Sequence, residues 1–293
     1  MEKTPPIETT LYNGKIKVKF FPDSHQYWVD DGKDKWRPKS VTGICGIKDK
    51  SQALVPWALE EAAKHLIGCL EQKKKIDEEQ IIKAVFSSQE YTEKGADLGT
   101  EVHDYCEKYI KNKISKKNPA PGIPEDENVL VGVNSFLAWE SAHKVKFLWS
   151  EKLVYSKKHD YIGKADFAAI VDGKTCLCDI KTGNGLYEGV LTQTSAYLKA
   201  DEEETGKIDG YDGRWAIRIS KETEKEYHQR MAVKNKIKAI LGKKEKEVEP
   251  YQIFQAVYLD EEKINLDEDF KTFLSEKVVS DWGGKKSGFF YKK

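Results

Sequence analysis

Apolar and polar positions alternate with period two across residues 15–29, interrupted by Pro22-Asp23-Ser24, which predicts a β-hairpin. Pro38-Lys39-Ser40 marks a turn. The rhythm then becomes helical. Trp57, Leu59, Ala62, Ala63, Leu66, Ile67 and Leu70 recur at helical spacing and predict a helix over 56–70 with a broad apolar face. Pro56 suits its first turn, where a missing N–H costs nothing. A short helix over 78–86 and a longer one over 89–110 are expected next, then a break at Asn118-Pro119-Ala120-Pro121-Gly122 and a helix over 125–143.

Beyond residue 146 the period returns to two. Segments 147–155, 163–171 and 175–181 read as successive strands, the last two joined by an Asp172-Gly173 hairpin turn. A helix over 187–200, strands over 215–219 and 253–259 around a lysine-rich helix at 222–241, and a final helix over 267–281 complete the series. Helices, then a hairpin, a helix and more strands predict an α/β fold of mixed α+β character. The expectation is one domain over 1–293: a hairpin and helical part to 145, a sheet core over 146–260, and a terminal helix and tail over 261–293.

Composition narrows the class. The chain is 39% hydrophobic and 33% charged, which suits a folded enzyme rather than a disordered chain. No run approaches the roughly 18–20 apolar residues of a bilayer span, so no membrane partner is expected. Met1-Glu2-Lys3-Thr4-Pro5-Pro6 lacks a signal peptide's pattern, which points to the cytoplasm. Five cysteines without small-scaffold spacing do not suggest a disulfide framework. Cys176-x-Cys178 lies in an expected strand, where the pair reads more simply as small core residues than as metal ligands. The 49 basic and 49 acidic residues balance, which argues mildly against a nucleic-acid binder but leaves room for a local positive groove.

Three strand positions carry candidate chemistry. Asp166 interrupts a small, apolar strand, and Asp179 and Lys181 end the next one, two apart and therefore on one face. If the strands pair through Asp172-Gly173, Asp166 can lie near Asp179. Buried charges are costly unless they pair or bind an ion. Two hard oxygen ligands suit Mg²⁺, and Lys181 would orient or activate water and stabilise negative charge. The same residues also suit a strand-end ion pair. Upstream, His103 and Glu107 share a helix face at i and i+4, and an imidazole is a plausible further ligand. Downstream, Gln193 and Tyr197 share another helix face, which also suits plain packing.

In order and spacing, Gly99-Thr100-x-x-His103-x-x-x-Glu107, Gly163-x-x-Asp166, Asp179-Ile180-Lys181-Thr182-Gly183 and Gln193-x-x-x-Tyr197 resemble the RecB-like branch of the PD-(D/E)XK nuclease superfamily. Ser40-Val41-Thr42 and Lys50-Ser51-x-x-Leu54-x-x-Trp57 look like the N-terminal part of phage and mitochondrial single-domain relatives. The resemblance implies a restriction-endonuclease-like core and a nuclease using Mg²⁺ or Mn²⁺. His103, Asp166, Asp179 and the Ile180 carbonyl would hold the metal, Lys181 would be the catalytic lysine, and Gln193 and Tyr197 would line the site. Glu107 could orient His103, and Glu151 corresponds loosely to an acidic family position of lower rank. No cysteine follows Cys178, so the iron–sulfur cluster of some relatives is not expected, and no phosphate-binding helicase loop appears.

The implied partners are DNA, as single strands or duplex ends, and replication or recombination proteins. The implied role is exonuclease action in replication, repair or recombination, of a kind that phages encode. In relatives, helices beside the core arch over a free end; residues 56–86 and 125–143 are the candidates. Lysines at 111–117 follow the His103 helix and could track phosphates, whereas those at 157–158 and 234–246 read as solvated surface. Tyr91 or Trp149 could stack bases, and either also suits a plain core position. A structure-selective or restriction-type endonuclease, an inactive nucleic-acid-binding module on the same fold, and an unrelated α/β protein with an ion pair remain open alternatives.

Overall fold

A computed structural model of the chain describes residues 4–207, 210–244, 247–260 and 265–290, with side chains to 283. Lys246, in the expected basic run, lies outside the described residues. Strands β1 (Ile7–Leu11), β2 (Ile16–Phe21), β3 (Gln26–Asp30) and β4 (Lys35–Trp36) form an antiparallel meander. Next come β5 (Lys39–Ser40), α1 (Val41–Cys45), α2 (Ser51–Glu71), α3 (Glu78–Ile114) and α4 (Glu127–Ala142). The second sheet adds β6 (Val145–Ser156), β7 (Tyr161–Val171), β8 (Lys174–Lys181), β9 (Gly213–Ile219) and β10 (Phe254–Tyr258), with α5 (Gly189–Thr205) and α6 (Glu224–Ile240) interspersed and α7 (Leu266–Phe290) last. The mixed sheet flanked by helices is the α/β arrangement expected from the pattern.

The order β10-β9-β8-β7-β5 mixes parallel and antiparallel neighbours, and β6 also pairs with β7. Because β6 runs along β7 from Tyr161 to Val171, it fills one edge of that strand. The other edge is shared: β8 pairs with Phe167–Val171, and β5 pairs with Tyr161 and Ile162. On that edge residues 163–166 have no strand partner. This opening in the sheet is where the candidate site lies.

Turn chemistry sets the register. Asp172 and Gly173 both take positive φ, 50° and 89°, as a type I′ hairpin turn requires. One face of the sheet packs on α3 and α4 through Val102, Cys106, Val133, Phe136 and Trp139. The other packs on α1, α5 and α7 through Val41, Ile44, Leu198 and Phe273. Full burial of a side chain such as Phe136 contributes roughly 1.5–3 kcal/mol. Cys176 and Cys178 are wholly buried in the first cluster, the small core residues expected. Arg214, fully buried on β9, binds Asp260 through two nitrogens and reaches Asp269 of α7 at 2.7 Å, clasping that helix to the sheet.

Several expectations are corrected. The turn at Pro38-Lys39-Ser40 contains the short strand β5. Pro56 sits six residues into α2, because Asp49 accepts the Ser51 N–H and starts the helix earlier. The broad apolar face of α2 is only partly covered: Leu59 and Leu70 are exposed. The two helices expected at 78–86 and 89–110 are one helix of 37 residues, α3. Ser87 and Thr92 do not break it, since their hydroxyls bond back to the carbonyls of Ala84 and Ser88 at 2.8 Å.

Candidate active site

The strand registers set Glu151, Asp166 and Asp179 in one row across β6, β7 and β8. On one side of the row, Ser150 faces Phe167 and Lys152 faces Ala165, which puts Glu151 opposite Asp166. On the other, Phe167 faces Cys178, so Asp166 and Asp179 would be the next pair. Neither acidic pair belongs to a ladder: the β6–β7 ladder skips Asp166, and the β7–β8 ladder stops one pair short of it. Glu151 takes φ of 53°, a left-handed conformation that costs a non-glycine residue free energy. The packing of β7 also inverts here. Tyr161 and Ala165 join the α5–α7 core, whereas Phe167, Ala169 and Val171 join the α3–α4 core.

The broken ladder frees backbone groups that side chains take over. Asp166 Oδ2 accepts the Ile180 N–H at 2.6 Å. In an extended strand a residue's N–H and C=O share one edge, so the Ile180 carbonyl faces the same opening. From α3, His103 brings Nδ1 to 3.9 Å from Asp166 Oδ2. One ligand atom each from His103, Glu151 and Asp166 lie within 4.8 Å of one another, a spacing that can hold a metal ion.

Asp179 stands outside that trio. It is 1% exposed, and its Oδ2 meets the Lys181 ammonium at 2.5 Å as an ion pair without hydrogen-bond alignment. Lys181 Nζ donates to Gln193 Oε1 at 3.0 Å, and Gln193 Nε2 donates to the Tyr197 hydroxyl at 3.0 Å. The i and i+4 spacing on α5 thus fixes the Gln193 amide with its oxygen toward the lysine. Gly163 exists for this chain: a Cβ there would fall 2.5 Å from the Tyr197 ring and 3.1 Å from Val41. Gly99 has the same logic, since a Cβ would meet the Thr182 hydroxyl at 2.7 Å where α3 crosses the loop after Lys181.

Burial sets the protonation states. It lifts Asp179 to about 6, with Lys181 opposing and Asp166 adding to the rise. It also raises Asp166, against the pull of Lys181 and the Ile180 N–H, and raises Glu151, where the Asp166 charge adds. Burial pulls the Lys181 ammonium down, but Asp179 and Asp166 together outweigh it and leave the amine above its ordinary value. Burial lowers His103 despite the nearby carboxylates, which favours the neutral imidazole a metal needs. Burial keeps the Tyr197 phenol protonated far above neutral pH.

The expected residues Asp166, Asp179, Lys181, Gln193, Tyr197 and His103 therefore occupy one region around the sheet opening. Glu151, ranked low from sequence, stands among the three converging ligand atoms; the signal was a register position that depends on the β6–β7 pairing. Its carboxylate also meets Lys164 at 2.5 Å. Glu107 is engaged by Lys111 one turn along α3 rather than by His103. Lys221, unnoticed in the sequence, bonds the carbonyl of Gly95 in α3 and bears on His103 electrostatically. Trp149 is partly buried against the α5–α7 core with the Lys152 ammonium 5.9 Å from its ring centre, and Tyr91 is exposed and edge-on to Trp57. Lys111 and Lys113 belong to the last turn of α3 and pair with Glu107 and Glu140. Among the described residues no helix is long and apolar enough to cross a membrane.

No protein-family model matches the chain, and no curated protein matches it. The functional reading accordingly rests on the residues and their geometry.

Proposed function

We propose that this protein is a metal-dependent deoxyribonuclease that hydrolyses phosphodiester bonds, acting as an exonuclease in DNA replication, repair or recombination. The observation that carries the reading is the acidic row at the ladder break, with His103 on one side and the Lys181–Gln193–Tyr197 chain on the other.

The residues fit a hard divalent cation. The donors are carboxylate oxygens and a neutral imidazole, as Mg²⁺ or Mn²⁺ prefers. Buried Asp179, paired with Lys181, adds a carboxylate on the neighbouring strand. His103, Glu151, Asp166 and Asp179, with the Ile180 carbonyl, would hold it. Such a cation supplies charge neutralisation at phosphate oxygens and acidifies water.

The protein's own groups do the rest. Lys181 keeps its proton and offers a fixed positive charge to the oxygens that become more negative as the bond breaks. Gln193 restrains that ammonium, and Tyr197 restrains Gln193, so the charge is held in place before substrate arrives. Asp166, tied to the Ile180 N–H through Oδ2, is held in the orientation that brings that oxygen toward His103.

The test uses end-labelled linear DNA and closed circles, with Mg²⁺, Mn²⁺ or chelator, beside Asp179→Ala and Lys181→Ala. Metal-dependent release of nucleotides from linear DNA, lost in both variants, is expected. Internal cutting of closed circles would replace the exonuclease by an endonuclease, and tight binding without cleavage would refute catalysis.

A further inference from the structure

A cleft of about 530 Å³ lies between β3, the segment leading into β5 and α1, and Ser280 of α7. Its volume is in the range of small-molecule sites, and nothing in the catalytic row uses it. His25, Tyr27, Arg37 and Lys39 line it. Arg37 is exposed, with its guanidinium 5.8 Å from the centre of the Trp28 ring, and among the described residues it has no carboxylate partner. Lys39, by contrast, is spent on Ser280 and Asp281 and holds α7 as a wall. Tyr27 stacks on Phe20 at 4.8 Å. His25 takes φ of 47° as the C-cap of the short 3-10 turn Pro22–Ser24, with its ring 6.0 Å from that of Phe20.

The cleft is also placed relative to the acidic row. Ser40 also lines the cleft. Ser40 pairs with Ile162 on β7, and Asp166 is four residues further along the same strand, about 13 Å at 3.3 Å per residue. A stacked strand covers that distance in about four nucleotides at 3.4 Å each.

We propose that this cleft holds one nucleotide of the DNA strand being cut, with a phosphate on Arg37 and the base against the rings of His25 and Tyr27. The proposal rests on the nuclease reading and extends it to a binding subsite away from the reacting bond. An unpaired arginine supplies a phosphate contact, and aromatic rings accept any base by stacking. The subsite therefore grips a strand without selecting its sequence.

The test is anisotropy of a short fluorescein-labelled oligothymidylate with chelator present, so that binding is read without cleavage, using the full chain and its Arg37→Ala and Arg37→Glu variants. KM for cleavage of the same oligonucleotide is measured with Mg²⁺. Arg37 is exposed, so both variants should keep the wild-type thermal midpoint. Expected are about tenfold weaker binding in Arg37→Ala, a larger loss in Arg37→Glu, and a salt dependence of log K shallower by about one. KM should rise in parallel. Unchanged affinity, salt slope and KM, in a wild type that binds and cleaves, would overturn the subsite and leave the nuclease reading standing. A wild type that neither binds nor cleaves would overturn both. Competition by thymidine monophosphate that Arg37→Ala abolishes, without any change in oligonucleotide binding, would assign the cleft to a free nucleotide and overturn the strand proposal.

Discussion

Replacing Asp179 by Asn should make the metal-free protein more stable at neutral pH. The carboxylate is 1% exposed, and burial raises it from its ordinary value of 3.8 to about 6 even with Lys181 alongside. A carboxyl group whose folded value exceeds its unfolded one binds its proton more tightly when folded. It therefore exacts nothing below about pH 4, and stability is lost as pH rises from about 4 to about 6. The gap between the two values corresponds to about 3 kcal/mol at 1.36 kcal/mol per pH unit. For a chain of 293 residues that is roughly 5 °C in thermal midpoint. The assay is thermal unfolding of wild type and Asp179→Asn in chelator from pH 4 to pH 8. The two curves should meet near pH 4 and separate to their full difference above pH 6, the variant higher. With Mg²⁺ at about 100 times its Kd, wild type should regain about 2.7 kcal/mol by linkage, and the variant much less. A variant less stable than wild type at pH 7.5 in chelator would refute the reasoning, because the Lys181 ion pair would then outweigh the burial cost.

Gly163→Ala should push the Tyr197 ring off its position, costing about 1–3 kcal/mol in denaturant unfolding and lowering nuclease turnover through loss of the Gln193 contact. Gln193→Ala should reduce turnover about 10- to 100-fold with metal binding unchanged by titration calorimetry, since it acts on Lys181 and not on the carboxylates. Arg214→Ala should cost about 3–5 kcal/mol in chemical denaturation by leaving Asp260 and Asp269 without their buried cation.

Much of this arrangement was legible in the sequence because it depends on local periods. The hairpin through Asp172 and Gly173 and the i, i+4 pair Gln193 and Tyr197 follow from strand and helix repeats alone. The Asp166–Asp179 proximity needed only that hairpin. What stayed hidden depends on contacts distant in sequence. Glu151 enters the row only because β6 pairs with β7 in a particular register, and its left-handed backbone has no sequence marker. The requirement for glycine at 99 and 163 comes from Thr182 and Tyr197, which lie 83 and 34 residues away. Helix α3 was expected as two helices, and the Ser87 hydroxyl, bonded back to the Ala84 carbonyl, lets the turn between them stay helical.

The central claim is that the interrupted ladder at Asp166 is a divalent-cation site. Titration of the metal-free protein with Mn²⁺ at pH 7.5, followed by the paramagnetic resonance of the free ion, tests it directly. Saturable binding is predicted for wild type, strongly weakened in His103→Ala and Glu151→Gln and abolished in Asp166→Asn, with all three variants folded. Binding that is absent in wild type up to millimolar Mn²⁺, or that survives unchanged in Asp166→Asn, would contradict the account.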